Sequence, residues 1–490
     1  MSNVHMGLNM TDQKMKRLER PVSRRSVLRQ GLRASTACLF VAPNVLGGPN
    51  HVAPSDQFRF GQIGAGGTGR VDLTHAIAAG ARPVAFCDVD VQRAGKTYEM
   101  HPELPRYTDF REMMDVMHRE LDAVVISTPD HGHGVQGLEA LRRGKHVYLQ
   151  TPLARTFDEC GLLRSAALHA GVATQMGNQC RSQMSTKLTD ALIASGRAGA
   201  VRSVHAWTRA PAWPQGMQSA PAASAPPISL DWDLWLGPAS HRPFGRGYLP
   251  MSWRGWWDFG TGALGAMGCR WLDAAFVSLQ LSMPDEVIAD LDASAGVKAT
   301  NLSFPTASKV TLRFAANERC PNGVDVHWYD GQRRPDLPTI SPDDSIKDPG
   351  FVAGHHGCVM VGDRATIAVT SNSPRPEVVA VPGGSAESLR TVRAEVRRWV
   401  HGVFTELEQD RQTHFARWIA AARNGAVNSG GSSFDVTARM TQAILLGNIA
   451  TRFPGQRLRW NHQAEQFHDA EAANSFLKME PRPGFDLSIQ

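Results

Sequence analysis

No stretch of the 490 residues approaches the roughly 18 uninterrupted apolar residues of a membrane-spanning helix, so no stable span is expected. The seven cysteines (Cys38, Cys87, Cys160, Cys180, Cys269, Cys320 and Cys358) contain no C-x-x-C pair. They therefore read neither as a zinc site nor as a disulfide framework, and no metal site is expected. Most fit buried small apolar positions. Internal repeats and low-complexity tracts are also missing. A basic footprint for nucleic acid is missing too, although the net charge is +6 and the pI about 9.0. Residues 1–33 hold eight Lys or Arg against two acids, which accounts for the whole +6 and leaves the remainder formally neutral. That distribution argues against nucleic acid as a partner.

The basic segment has its own reading. Ser23-Arg-Arg-Ser-Val-Leu-Arg29 resembles a twin-arginine export signal, followed by a mildly apolar stretch from Ala34 to Leu46 that Pro43 interrupts. Residues 1–54 are thus expected to be a leader and linker, and the protein to be periplasmic or otherwise exported. No Ala-x-Ala cleavage site precedes Gly47-Gly48. Twin-arginine export carries folded proteins, which suits a chain that takes up a cofactor before leaving the cytoplasm.

What is present centres on Phe58-Arg-Phe-Gly-Gln-Ile-Gly-Ala-Gly-Gly-Thr-Gly69. An apolar-alternating run ends in Gly64-x-Gly66-x-x-Gly69, and Arg70 to Gly80 then reads as a helix. Gly64 permits the tight turn, Gly66 lets the backbone approach a pyrophosphate, and Gly69 lets the helix pack close on the strand. The phosphates would lie against free N–H groups of Gly64, Ala65, Gly66, Gly67, Thr68 and Gly69 at the helix start, where the dipole favours negative charge. A second strand, Pro83 to Cys87, ends at Asp88, which is 24 residues after Gly64. A carboxylate at that spacing suits the adenosine ribose hydroxyls and would repel a 2′-phosphate, which favours NAD over NADP.

Regular alternation continues. A helix-like stretch runs to about Met100, and an amphipathic helix spans Arg111 to Arg119. The apolar run Leu121 to Thr128 reads as a buried parallel strand, with Asp130 as N-cap of a helix to Arg143. Strand His146 to Leu149, helix Phe157 to Ala170 and strand Val172 to Met176 follow. This pattern implies a doubly wound parallel sheet over residues 55–180, whose ligands lie beyond the carboxyl ends of the strands. Thr128, Pro129, Gln150, Thr151 and Pro152 would then face the cofactor. His131 and His133 fit either cofactor contact or the helix start. From 181 to 490 the pattern changes to helix Ser182 to Ser195, strand Val201 to Thr208, a Pro/Ala-rich loop and strands Lys309 to Phe314 and Val324 to Tyr329. A Pro/Asp-rich loop spans Pro335 to Gly354, and a helix pair, Val392 to Asn424 and Asp435 to Ala450, closes the chain. The expected architecture is α/β, a Rossmann domain followed by an α+β domain with a large, mostly antiparallel open sheet. Trp232, Trp235, Trp253, Trp256 and Trp257 crowd one stretch, as core or, for one or two rings, as a sugar platform.

Several motifs together resemble the glucose–fructose oxidoreductase / inositol dehydrogenase (Gfo/Idh/MocA) superfamily, in its exported bacterial branch. They are Ile63-Gly-Ala-Gly-Gly-Thr-Gly-Arg70, Ser127-Thr-Pro-Asp-His-Gly-His133, Gly144-Lys-His-Val-Tyr148, Gln175-Met-Gly-Asn-Gln179 and Trp253-Arg-Gly-Trp-Trp-Asp-Phe-Gly-Thr-Gly-Ala-Leu-Gly265. The resemblance runs from about Ser55 to Asp486. It implies tightly bound NAD, a sugar or polyol substrate oxidised at a hydroxyl carbon, and a homo-oligomer built through the open sheet of the second domain.

Three departures bear on that implied chemistry. The family's Glu-Lys-Pro reads Gln150-Thr151-Pro152 here, so the lysine beside the nicotinamide is Thr151. The family's Gly-Asp-Met-Gly-Cys-His, with Asp three residues later, reads Gly265-Ala266-Met267-Gly268-Cys269-Arg270, then Asp273. Oxidising an alcohol needs a group to take its proton, with a pKa near the working pH. Thr151 has no such pKa, and Arg270 stays protonated. Asp273 remains as a base or as a partner of Arg270, whose charge would lower its pKa. His205, Tyr248 and the His355-His356 pair read as structural or surface groups. Three functions stay in view: an oxidoreductase with retained cofactor, an NAD-dependent glycosidase, and a catalytically degenerate binder of nucleotide or carbohydrate in which Arg270 clamps an anion.

Overall fold

The computed structural model describes residues 57–291, 297, 300–335, 356–370, 375–408, 410, 412–427 and 431–487. The twin-arginine segment, His355 and most of the 335–354 loop lie outside the described residues.

Residues 58–490 form one compact unit that holds two sheets. Its first half alternates β1 (Phe58–Ile63), α1 (Thr68–Ala78), β2 (Ala81–Cys87), α2 (Val91–Met100), β3 (Arg106–Tyr107), α3 (Phe110–Met117), β4 (Ala123–Ile126), α4 (Asp130–Arg142), β5 (His146–Leu149), α5 (Phe157–Ala170) and β6 (Thr174–Met176). The strands pair in parallel in the order β3-β2-β1-β4-β5-β6. Strand order reverses between β1 and β4, which opens a crevice at their carboxyl ends. β4 is buried at all four positions, as a strand covered on both faces must be. Side-chain caps set several helix starts. Asp90 accepts from Gln92 and Arg93 N at α2, Asp109 from Arg111 N at α3, and Thr156 with Glu159 closes a capping box at α5. Asp130 does not cap α4, because the N-cap position falls on Pro129. The Asp130 side chain instead accepts from Thr261 Oγ1 at 2.6 Å.

The second half contains α6 (Met184–Ala194), β7 (Val201–Thr208), α7 (Trp232–Leu236), α8 (Gly262–Trp271), α9 (Asp273–Ser278), β8 (Glu286–Asp290), β9 (Lys309–Phe314), β10 (Val324–Tyr329), β11 (His356–Gly362), β12 (Thr366–Thr370) and β13 (Glu377–Ala380). Then follow α10 (Ala386–Leu407), α11 (His414–Asn424), α12 (Phe434–Ala450), β14 (Leu458–Asn461), β15 (Gln466–Phe467) and α13 (Glu471–Asn474). Nine strands pair in the order β13-β12-β11-β7-β10-β9-β8-β14-β15, antiparallel except for β7 beside β10. The mixed, mostly antiparallel second sheet is as the alternation indicated.

The closing helices differ from the expected pair. The span Val392 to Asn424 is broken between Leu407 and His414, where Thr413 caps a new helix by accepting from Ala416 N. α11 then turns back to the Rossmann sheet. Phe415, Trp418 and Ile419 pack with Phe58, Phe60 and Tyr148, and Trp418 Nε1 donates to Ala173 O at 3.1 Å. A second buried cluster runs unbroken from Val124 and Leu149 through α5 and α12 to Val204 and Val326. The two sheets therefore share a core, which fixes the walls of the crevice between them.

Candidate active site

The glycine turn is shaped by contacts no side chain would tolerate. Gly64 has φ 82°, and a Cβ there would meet Ser127 O at 2.7 Å. A Cβ on Gly69 would lie 1.8 Å from Gly64 O, so the helix start sits directly on the turn. At Gly66 the obstacle is Arg93, whose O and Cγ would both lie 2.7 Å from a Cβ. α1 has no side-chain cap and no acid in its first turn, which leaves its first amides available to an anion.

Asp88 does more than the spacing suggested. Its Oδ2 accepts from Ala65 N at 2.8 Å and Gly66 N at 3.0 Å, and its Oδ1 accepts from Asp90 N at 3.0 Å. Burial raises its pKa, and these amide hydrogen bonds oppose the rise. Asp88 lines the crevice, so a ribose hydroxyl can still reach it; a diphosphate reaching the Ala65 and Gly66 amides must share them with this carboxylate.

Beneath the loop lies a polar group that the motifs did not reveal. Asp72, 1% exposed, accepts from Ser127 Oγ at 2.7 Å and from Gln150 Nε2 at 2.9 Å. Gln62 Nε2 donates to Gly64 O at 3.1 Å. Burial pushes the Asp72 carboxyl up to about 6. The available signal was a polar residue, Gln62, in the buried second half of β1 and a lone acid on α1. Together these bonds fix the ends of β1, β4 and β5 against one another.

The two histidines of the Thr128 motif also hold the frame. His131 Nε2 lies 2.8 Å from Trp235 O and its Nδ1 3.2 Å from Phe259 O, and burial lowers its pKa to about 4. One edge of His131 lines the crevice. His133 does not line it. Its ring bridges Pro152 O at 2.8 Å and Thr128 O at 3.0 Å, which ties the β4 and β5 ends together. Thr128, Pro129, Gln150 and Thr151 all line the crevice, whereas Pro152 is buried behind it.

The crevice encloses about 440 Å³ between the glycine loop and the second half of the chain. Its far wall carries Trp213, Trp235, Trp253, Arg254, Ala266 and Met267. Most of the tryptophan stretch is core: Trp235, Trp253 and Trp256 are buried with Phe244, Tyr248 and Phe259. Tyr248 is therefore structural. The Arg254 guanidinium lies over Trp253 at 4.2 Å and near Trp213 at 5.7 Å. Its side chain donates no hydrogen bond to any described residue, and burial lowers its pKa while leaving it charged at neutral pH. A fixed cation without an acceptor, in a crevice, is a ready partner for an anionic group.

Of the three residues expected at the reaction centre, only Thr151 lines the crevice. Asp273 is 0% exposed and bound on all sides: Arg181 Nη2 at 2.6 Å, Arg181 Nε at 2.9 Å and Asn178 Nδ2 at 2.8 Å. Its partner is Arg181, not Arg270. Arg270 is exposed and lies over Trp271 at 5.5 Å. Asp273 is thus held within the shared core, and Arg270 points away from the crevice as a surface cation. His205 stacks on His327 at 4.7 Å on the second sheet, and His356 contacts Thr208 Oγ1 at 2.7 Å. Neither lines the crevice. Among the described residues, those lining the crevice include no lysine or tyrosine. Their carboxylates are Asp88, Asp90, Asp109 and Asp130. The first three serve the glycine loop and helix caps. Asp130, 3% exposed and raised by burial, is hydrogen-bonded to Thr261, the N-cap position of α8.

A Rossmann crevice with a fingerprint loop, closed on its far side by loops and helices of the second half of the chain, is the arrangement of a dinucleotide-binding site. Two family models match this chain: "Oxidoreductase family, NAD-binding Rossmann fold" over residues 58–178 and "Oxidoreductase family, C-terminal alpha/beta domain" over 201–316. The chain belongs to the Gfo/Idh/MocA oxidoreductase family, and its Rossmann domain is of the NAD-binding kind. A glycosyl hydrolase family 109 protein of Solibacter usitatus is 33% identical over 119 residues, 22% of this chain and 27% of the relative. The inositol 2-dehydrogenase of Rubrobacter xylanophilus is 30% identical over 159 residues, 32% of this chain and 45% of the relative. The chain thus matches less than half the length of these relatives. Among solved structures, an inositol dehydrogenase homologue from Azotobacter vinelandii, with NADH and myo-inositol, has TM-score 0.52 at 15% identity, covering 82% of this chain and 98% of its own. That likeness extends the shared fold across both sheets.

Proposed function

We propose that the protein is an NAD-dependent oxidoreductase that keeps its cofactor bound and removes hydride from a hydroxyl carbon of a sugar or polyol bearing an anionic group. The observation that carries this reading is the shared crevice: the glycine loop forms one wall, and aromatic rings with Arg254, which no described acceptor engages, form the other. The aromatic faces suit the C–H side of a sugar ring, and Arg254 suits a carboxylate. NAD, when bound, supplies the hydride acceptor. The chain supplies the rest. Free amides at the start of α1 and the Asp88 carboxylate would hold the diphosphate and ribose. Asp130 would take the hydroxyl proton as its carboxylate: it lines the crevice, burial raises its affinity for a proton, and the usual lysine position is Thr151.

The lack of lysine at 151 and the outward placement of Arg270 also support a second reading, a binder of nucleotide and carbohydrate without turnover. The relative named for glycosyl hydrolase family 109 keeps a glycosidase reading available, in which transient oxidation loosens a glycosidic bond. One experiment separates these. The purified protein is denatured and the released nucleotide measured; the intact protein is then given uronates, hexoses and inositols while reduced-nicotinamide absorbance is followed. Stoichiometric NAD with reduction by a uronate supports the enzyme. Bound NAD that no sugar reduces refutes it in favour of the binder. Export through the twin-arginine route and oligomerisation through the second sheet belong to the same proposal, tested by cell fractionation and by mass in solution.

A further inference from the structure

A second cavity, of about 180 Å³, lies where the end of α12 meets the segments 155–157, 257–260 and 476–479. No residue lines both this cavity and the crevice. Arg452 projects into it, two residues beyond α12. Its guanidinium is sandwiched between Trp257 at 3.9 Å and Phe476 at 4.1 Å. The cation at the end of a helix would ordinarily bind the last carbonyls. This one donates to none among the described residues, and its buried Nε has no partner there. Arg155 stands beside it. Its Nη1 donates to Trp257 O at 2.8 Å, Nη2 contacts Met479 Sδ, and its buried Nε is also unpartnered. Lys478 lines the same cavity. The lining carboxylate, Asp258, is engaged by Arg242 at 2.5 Å. Burial and the neighbouring Arg155 charge lower the Arg452 pKa to about 10, with Asp258 opposing the shift, so it remains a cation at neutral pH.

Two guanidiniums are therefore brought together in a small cavity, and no described carboxylate is hydrogen-bonded to the guanidinium of either. Stacking between two rings fixes the plane of one, which leaves its outer N–H pair to meet a planar or tetrahedral oxyanion side-on. We propose that this cavity binds the carboxylate or phosphate group of a small anionic ligand, gripped by Arg452 and Arg155. The site shares no lining residue with the crevice, and the proposal does not rest on the proposed oxidation.

The test is calorimetric titration of the NAD-loaded protein with inorganic phosphate at low ionic strength, with matched chloride as blank and malonate as a second probe. Saturable one-site binding is expected for the wild type. Tighter phosphate assigns the site to a phosphoryl group, and tighter malonate to a carboxylate. R452Q should weaken the bound probe at least about tenfold, and R254Q should leave it within about twofold. R452K keeps the charge and stem but loses the fork, so it should melt as the wild type does yet bind at least about threefold more weakly. Absence of saturable binding, an unweakened R452K or R452Q, or loss of binding in R254Q instead would overturn the proposal.

Discussion

Asp273→Asn separates a structural acid from a catalytic one. The change keeps shape and one acceptor oxygen, and it removes a charge held at 2.6 Å by Arg181, whose side chain is only 11% exposed. Surface ion pairs contribute little, but breaking a buried pair leaves an uncompensated charge and costs about 3–5 kcal/mol. Asp273 is fully buried and Arg181 nearly so, which places this pair in the second class. The expected loss is therefore at least about 3 kcal/mol, read from urea unfolding followed by tryptophan emission. Replacing both partners, as in R181M/D273L, should recover most of that loss, because no lone charge remains. NAD content should stay stoichiometric in every variant that remains folded. A D273N protein of wild-type stability that has lost turnover would refute the reasoning and restore Asp273 as a catalytic residue.

Gly66→Ala should carry no NAD, since its Cβ would lie 2.7 Å from Arg93 O and force the glycine loop to shift; nucleotide released on denaturation measures this. Asp130→Asn should keep NAD and lower substrate-dependent reduction by about 10²–10⁴-fold, and an undiminished rate would remove Asp130 from the mechanism. Acid should destabilise the fold. Burial holds His131 and His414 at about 4, so both stay neutral while the unfolded chain takes up protons below about 6.5. Their stabilising effect is complete above that pH and is lost progressively as pH falls from about 6.5 to about 4, which amounts to about 2 kcal/mol each at pH 5. Asp72, raised to about 6, works the other way and returns about 1 kcal/mol between pH 7 and 5. A melting temperature that rises on acidification from pH 7 to 5 would contradict this balance.

The Rossmann half was legible because each signal is local. Fingerprint glycines, apolar runs and caps lie within a few residues of the elements they define, and His146–Leu149 and Phe157–Ala170 fall where the pattern puts them. The break between α10 and α11 was less legible. Its cause is distant: Phe415 and Trp418 must reach Tyr148, and Asp410 joins Lys187 and Arg417. The partners of Asp72 could not be read for the same reason, since Gln150 and Ser127 follow different strands.

The reaction centre shows the limit of carrying a motif across by spacing. Ala266 and Arg270 are one helical turn apart on α8, so a sequence argument puts them on one face. That face is not uniform along its length: Ala266 lines the crevice, whereas Arg270 is exposed. Asp273, three residues further, begins a new helix and turns inward to Arg181, a residue about ninety positions earlier. No local pattern could have supplied that partner. Among the described residues, two cations do reach the crevice: Arg93 beside the glycine loop, and Arg254 in the tryptophan-rich stretch, where Trp253 and Trp213 hold its guanidinium. Arg254, the proposed anion partner, thus lines the crevice, while Arg270 and Asp273 of the motif that resembles the family's proton-transfer set do not. A selective effect of Arg254→Lys on uronates, with neutral sugars unaffected, is the outcome that this placement requires.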